Sequence, residues 1–114
     1  MKVREIVATL NLEVVNEGEH LDDEVVGGYV GDLLSDVIAS AREKFVWVTI
    51  QVHENIIAVA TLKDLSAIIL AKNSTPLDET LENAREEGVT LLKSSMDSYG
   101  IVSALSESGI SGGS

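Results

Sequence analysis

Phe-Val-Trp-Val-Thr-Ile-Gln-Val, residues 45–52, is the most regular run in the chain, and the architecture follows from it. Val46, Val48, Ile50 and Val52 fall on one side of an extended backbone, and Phe45, Trp47, Thr49 and Gln51 on the other, which is the period of a β-strand. Residues 55–62, Asn-Ile-Ile-Ala-Val-Ala-Thr-Leu, are apolar on every side. Ser66 to Ala71 is then a continuous apolar run of the kind that fills buried parallel strands. The β-branched content of 55–62 leaves helix and strand open by periodicity, but parallel neighbours require a crossover, which favours a helix.

The same alternation continues toward the C-terminus. Thr75-Pro76-Leu77-Asp78 reads as an N-cap, a proline in the first turn and an acidic third position, opening a helix that carries Leu77, Leu81 and Ala84 and stops at Gly88. Val89 to Leu92 is a final strand. Ser94 and Asp97 repeat the cap pattern before a last helix with Tyr99, Val102 and Leu105 on it. Toward the N-terminus, Val3, Ile6, Val7 and Leu10 make one helical stripe, and Leu12 to Val15 a strand. Asn16 to Glu24 is an acidic loop, and Val25 to Val30 a strand interrupted by Gly27 and Gly28. Asp32 stands where it would cap a helix through Leu34, Val37, Ile38 and Ala41. Strand starts near Phe45, Ser66 and Val89 are about evenly spaced, giving three successive β-α units. The predicted fold is a three-layer α/β/α domain with a small, mostly parallel sheet, spanning residues 1–108 and followed by a flexible tail at 109–114.

Composition narrows the function. At 114 residues and 45% hydrophobic content, the chain suits one globular core. Eight Lys plus Arg against 19 Asp plus Glu give a formal net charge of -11, and the basic residues are scattered, so nucleic acid is not the expected partner. The absence of cysteine removes disulfides, thiolate nucleophiles and iron–sulfur ligation. No apolar stretch approaches the ~20 residues of a membrane span, and the N-terminus has no signal-peptide pattern, so the cytoplasm is the expected location and a membrane is not an expected partner.

In open α/β sheets ligands bind outside the carboxyl ends of the strands. The loops after Val30, Val52, Ala71 and Lys93 therefore supply the candidate ligand-binding residues: Gly31, Asp32, His53, Asn55, Lys72, Asn73 and Ser94. Gly27 to Asp32 is the one glycine-rich entry to a helix, able to offer N–H groups to an anion or to be a bulged strand, and it matches neither a P-loop nor a dinucleotide fingerprint. Lys72, Asn73 and Ser74 either close a pocket with Ser94 and Ser95 or simply make turns and caps. Asp32, Asp36 and His53 would need to converge to act as a metal or acid–base centre; lacking ligand spacing, they predict no metal site. His20 has no visible partner. With no Ser-His-Asp grouping or nucleophile elbow, no catalytic residue is assigned, the protein is not expected to be an enzyme, and no cofactor is implied.

The order of helix, strand, acidic loop, Val-Val-Gly-Gly-Tyr-Val-Gly-Asp (25–32), apolar strand, turn, Ile-Ile-Ala-Val-Ala (56–60), Ser-Ala-Ile-Ile-Leu (66–70), a Thr-Pro cap and Glu-Asn-Ala-Arg-Glu-Glu-Gly-Val-Thr-Leu-Leu (82–92) resembles the DRTGG domain family. Those domains are in turn similar to the N-terminal domain of HPr kinase/phosphorylase. The likeness runs from Val3 to about Leu105. The Gly-Asp-Arg-type and Thr-Gly-Gly turns of the family are replaced here by Val52-His53-Glu54 and Ala71-Lys72-Asn73. The resemblance implies an α/β/α fold, a regulatory or accessory role, frequent self-association and no catalysis.

Two functions are consistent with this reading. One is a regulatory domain that binds a small anionic or nucleotide-like ligand, or a partner protein, through the strand-end loops. The other is a pure interaction module with no small molecule. Self-association as a homodimer also follows from the all-round apolar surface of residues 55–62, which exceeds what one side of the domain covers.

Overall fold

The computed structural model describes residues 1–112. Its elements in chain order are α1 (Val3–Leu10), β1 (Glu13–Asn16), β2 (Gly27–Val30), α2 (Leu34–Ser40), β3 (Phe45–Thr49), α3 (Asn55–Lys63), β4 (Ala67–Leu70), α4 (Asp78–Glu87), β5 (Leu91–Lys93) and α5 (Ser98–Glu107). The strands form one sheet in the order β1-β5-β4-β3-β2. β2, β3, β4 and β5 are mutually parallel, and β1 alone is antiparallel, paired with β5 at the far edge.

Two rows of side chains cross the sheet and fix its layers. Tyr29, Trp47, Ile68 and Leu91 stand opposite one another from β2 to β5, as do Val30, Val48, Ile69 and Leu92. Because successive residues of a strand point to opposite faces, the two rows serve two separate cores. The Trp47 row packs with Val37 of α2, Ile56, Ile57, Val59 and Ala60 of α3, and Ala84 of α4. The Val48 row packs with Val3, Ile6 and Leu10 of α1, and Ile101 and Leu105 of α5. The fold is therefore the expected three-layer α/β/α arrangement. The all-round apolar α3 is accounted for by its central place between α2 and α4, which leaves Leu62 as its main exposed apolar residue.

Several local expectations change. β3 ends at Thr49, before Val52, since β2 has already ended and the next N–H, of Ile50, is taken by the Asp32 carboxylate. Asp32 consequently does not cap α2; Leu33 holds that position without a side-chain bond. Thr75 and Pro76 lie ahead of α4, whose N-cap is Leu77, because Leu77 N–H and the buried Thr80 hydroxyl both bond to the Val52 carbonyl and set where the helix begins. α5 is capped by Asp97, which accepts from Gly100 N–H at 2.9 Å, while Ser94 Oγ accepts from Met96 N–H. The segment expected as a flexible tail is docked over 109–112: Ile110 is buried, and the Ser111 carbonyl accepts from Gly28 N–H at 3.0 Å along the open edge of β2. Its remaining residues, 113–114, lie outside the described residues. No helix among the described residues is long and apolar enough to cross a membrane.

Candidate functional site

The four parallel strands deliver their exit turns to one edge of the sheet, and the candidate residues stand there. The chain turns from β2, β3 and β4 toward the face covered by α2, α3 and α4, and from β5 toward the opposite face, covered by α5. The reversal between β4 and β5 is the switch point at which open α/β sheets form a ligand crevice. Here the crevice is stitched by backbone. Lys72 N–H donates to the Met96 carbonyl and Asn73 N–H to the Ser94 carbonyl, each at 2.8 Å, and Ser94 itself is buried. Lys72 and Asn73 have φ of 57° and 53°, the left-handed pair of a tight turn closed by Ser74 N–H on the Ala71 carbonyl. Asn73 does lie beside Ser94, one of the two arrangements the sequence left open, and the contact is main chain to main chain.

At the other side of the edge, the glycine-rich segment is engaged with the protein. Gly28 N–H bonds to Ser111, and Gly31 N–H to the Val48 carbonyl. The Gly31 carbonyl accepts from the indole N–H of fully buried Trp47 at 2.8 Å. Asp32 Oδ1 accepts from Thr49 Oγ1 at 2.7 Å and from Ile50 N–H at 2.9 Å, and its carbonyl accepts from Gln51 Nε2. These bonds weld the ends of β2 and β3 together and leave few backbone donors for an anion. The side chains of His53, Asn55, Lys72 and Asn73 are exposed, so they are the candidate residues free to meet a ligand. His53 Nδ1 accepts from Asn55 N–H at 3.2 Å at the start of α3.

Asp32, Asp36 and His53 are not brought together. Asp36 accepts from the Tyr29 hydroxyl, a bond that holds that phenol above its ordinary pKa, while Asp32 faces Thr49. Among the described residues no hydrogen bond or ion pair joins Asp32, Asp36 and His53, and no three His, Asp or Glu side chains are grouped to hold a metal. Sequence reasoning missed the cluster at the opposite, amino end of the sheet. There His20 Nδ1, Lys44 Nζ and Ser66 Oγ all approach Asp23 Oδ2, at 2.8, 3.2 and 3.3 Å. Burial pushes the Asp23 carboxyl up, but the hydrogen bonds and charges of His20 and Lys44 outweigh it and hold the carboxyl below its usual range. The hydroxyl bonds Asp23 and not the imidazole, so the group pins the acidic loop and does not form a nucleophile.

The cavity that sequence reasoning did not foresee lies between the open half of the sheet and α5. It has a volume of about 270 Å³, and its walls include Gly28 and Val30 of β2, Val48 of β3, Val102 and Leu105 of α5, and Ile110. Ser111 and Gly112 stand at its rim. None of the seven candidate residues lines it, although Gly31 follows Val30 directly. The signals were present as a strand glycine and as the lone isoleucine in a Ser/Gly-rich terminus. Exposed apolar residues gather at the same edge: Leu33 and Tyr99 are 69% and 86% exposed, with Val30, Ile50 and Val102 also uncovered.

The described residues thus form an α/β domain, a mixed sheet clothed on both faces with an open cleft at its edge. The chain belongs to the DRTGG domain family, whose model matches residues 5–108. No curated protein matches it. Its fold is similar to that of the CBS and DRTGG domains of the regulatory region of Clostridium perfringens pyrophosphatase, solved as a complex with its activator, diadenosine tetraphosphate. The TM-score is 0.69 at 18% identity, over 91% of this chain and 45% of that one. The chain thus spans less than half the length of that regulatory region.

Proposed function

We propose that this chain is a non-catalytic regulatory domain that binds a nucleotide-like small molecule at the carboxyl edge of its sheet. The observation that carries the reading is the combination of a rigidly bonded strand edge, Asp32 to Thr49 and Gly31 to Trp47, with an open cleft beside it and no grouped acid, base or nucleophile. Family membership supports a regulatory role, and the similar fold in a regulatory region crystallised with a nucleotide activator supports the ligand class. His53, Asn55, Lys72 and Asn73 supply the exposed polar and cationic contacts outside the cleft, with Gly31, Asp32 and Ser94 as the framework that positions them. The cytoplasm is the compartment proposed for this function.

The test is calorimetric titration and thermal shift with diadenosine tetraphosphate and ATP, inorganic phosphate serving as the control. Binding of either nucleotide, without its hydrolysis, supports the reading, and weakening by the His53→Ala, Lys72→Ala double variant assigns the contacts. Absence of binding by both nucleotides rejects it.

A second reading, docking of another protein or a second copy with no small molecule, is favoured by the exposed Leu33 and Tyr99 at the same edge. Light scattering separates the two. A dimer converted to monomer by Leu33→Lys with Tyr99→Lys supports self-association there, whereas a monomeric parent chain removes the homodimer.

A further inference from the structure

The two adjacent glycines of β2 are glycines for different reasons. A Cβ built on Gly27 would lie 2.6 Å from Phe45 Cε1, so the aromatic ring excludes any side chain. A Cβ on Gly28 would meet Val46 Cγ2 at 3.5 Å and Ile110 Cγ2 at 3.6 Å, which are ordinary contacts. Gly28 is also in regular strand conformation, paired across β3 with Val46, and none of its torsions demands glycine. A glycine inside a strand weakens it relative to a residue with a side chain. Neither backbone nor packing explains this one. What its missing side chain creates is the floor of the cleft beneath α5. Glycine in a strand recurs where a ligand or another backbone approaches closely; the backbone at Ser111 and Gly112 does run beside Gly28, but it leaves ordinary room for a Cβ there.

The cleft's chemistry limits what approaches. Val30, Val48, Val102, Leu105 and Ile110 make its walls, and no Lys, Arg, His, Asp or Glu lines it. A phosphate placed there would be desolvated without a counter-charge. Its volume of about 270 Å³ falls just below the ~300–1,000 Å³ usual for drug-sized ligands, which suits one ring system and not a dinucleotide. Exposed Ser111 brings a hydroxyl to the rim.

We propose that the cleft over Gly28 is a binding site for an uncharged, flat, base-sized ring, with Gly28 setting its depth. The assignment rests on the ligand-binding reading above and adds to it a division of labour. The ring enters between β2 and α5, and any charged part stays outside, toward the exposed strand-end loops.

Amide NMR of the full chain titrated with adenosine tests this, with inorganic phosphate as the charged control. Adenosine should give saturable shifts at the amides of Gly28, Val30, Val48 and Val102, and phosphate should give none at these positions. Gly28→Leu, which fills the floor, should weaken adenosine roughly tenfold or more. Gly28→Ala, which the geometry admits without displacement, should keep the spectrum of the folded chain and weaken adenosine less. The assignment is overturned if adenosine moves no cleft amide at up to about 5 mM, a range in which a fragment-sized ligand should register. Equal affinity in the parent and Gly28→Leu also overturns it. Shifts confined to His53, Asn55 and Lys72 would remove the cleft but keep the regulatory reading, which fails separately if both nucleotides do not bind.

Discussion

Asp32 reaches across from the end of β2 to accept the hydroxyl of Thr49, the fully buried last residue of β3, at 2.7 Å. The same oxygen takes Ile50 N–H at 2.9 Å, so one carboxylate satisfies two donors that the ladder no longer serves. Asp32→Ala leaves the buried Thr49 O–H without an acceptor, although its oxygen still accepts from Gln51 N–H, and should cost about 2 kcal/mol in chemical denaturation, with Asp32→Asn, which retains an acceptor, costing roughly half as much. A cost for Asp32→Ala of less than about 0.5 kcal/mol, typical of plain surface changes, would refute the clamp.

The Ala71–Ser74 turn carries a second consequence. Lys72 and Asn73 both hold positive φ, a conformation that asparagine tolerates and lysine does not favour. Lys72→Gly should therefore stabilise the domain by about 0.5–1 kcal/mol, net of glycine's greater freedom in the unfolded chain. Lys72→Val should destabilise it by more than that, because a β-branched residue resists this region. The comparison of melting curves is decisive in sign: a less stable Lys72→Gly would mean that the lysine side chain itself contributes to folding.

Asp23 sets an acid limit. Burial raises its pKa and the bonds from His20 and Lys44 lower it further than burial raises it, so its folded pKa lies below the unfolded value. Its contribution is therefore complete above the unfolded aspartate value of about 3.9 and is lost as pH falls through the lower folded value. Lys44 behaves oppositely. Burial lowers its pKa, and Asp64 and Asp23 more than restore it, so its contribution persists through neutral pH and is lost only as pH rises through a value above the ordinary lysine range. Asp23→Asn should cost about 1–2 kcal/mol at pH 7, with the difference shrinking as pH falls through the lowered folded value. A cost independent of pH would show that the carboxylate's charge plays no part.

Most of the layer structure was legible because the apolar patterns are strong and mutually consistent. Ser66 to Ala71 has the continuous apolar pattern of a strand buried on both faces, and a crossover to it favoured helix over strand for residues 55–62, whose own periodicity decides neither. The caps were less legible. Asp32, Thr75 and Ser94 each stand where local chemistry allows a helix cap, but Asp32 found Thr49, and the Val52 carbonyl fixed the start of α4. Such choices depend on partners 17 or 28 residues away, which local spacing does not encode. His20 had no visible partner for a different reason: Asp23 is only three residues off, but Lys44 and Ser66, which complete that cluster, arrive from the strand ends. The edge carrying the candidate residues followed from parallel strands alone. The cleft did not, since it needs α5 to cross β2 and needs Ile110 to return to the sheet.

Ile110 provides the sharpest contrast between sequence and structure. Surrounded by serine and glycine, it belongs by composition to a mobile terminus, but it is only 8% exposed and packs with the α1 and α5 side of the core. The segment after it bonds Gly28 N–H and covers an edge strand that would otherwise present free donors and acceptors. Two further backbone bonds tie the segment to α5, from Gly109 N–H to the Ser106 carbonyl and from Ile110 N–H to the Leu105 carbonyl, and Ile110 is its buried side chain. Ile110→Ala should lose about 2–4 kcal/mol, since the removed methyl and methylene groups leave a gap beside the existing cleft. Hydrogen exchange at Gly28 should accelerate more than the global loss of stability explains, as the Ser111 carbonyl releases that N–H locally. If instead Gly28 exchanges only through global unfolding in Ile110→Ala, the segment is held by its backbone pairing alone, and the isoleucine is not its anchor.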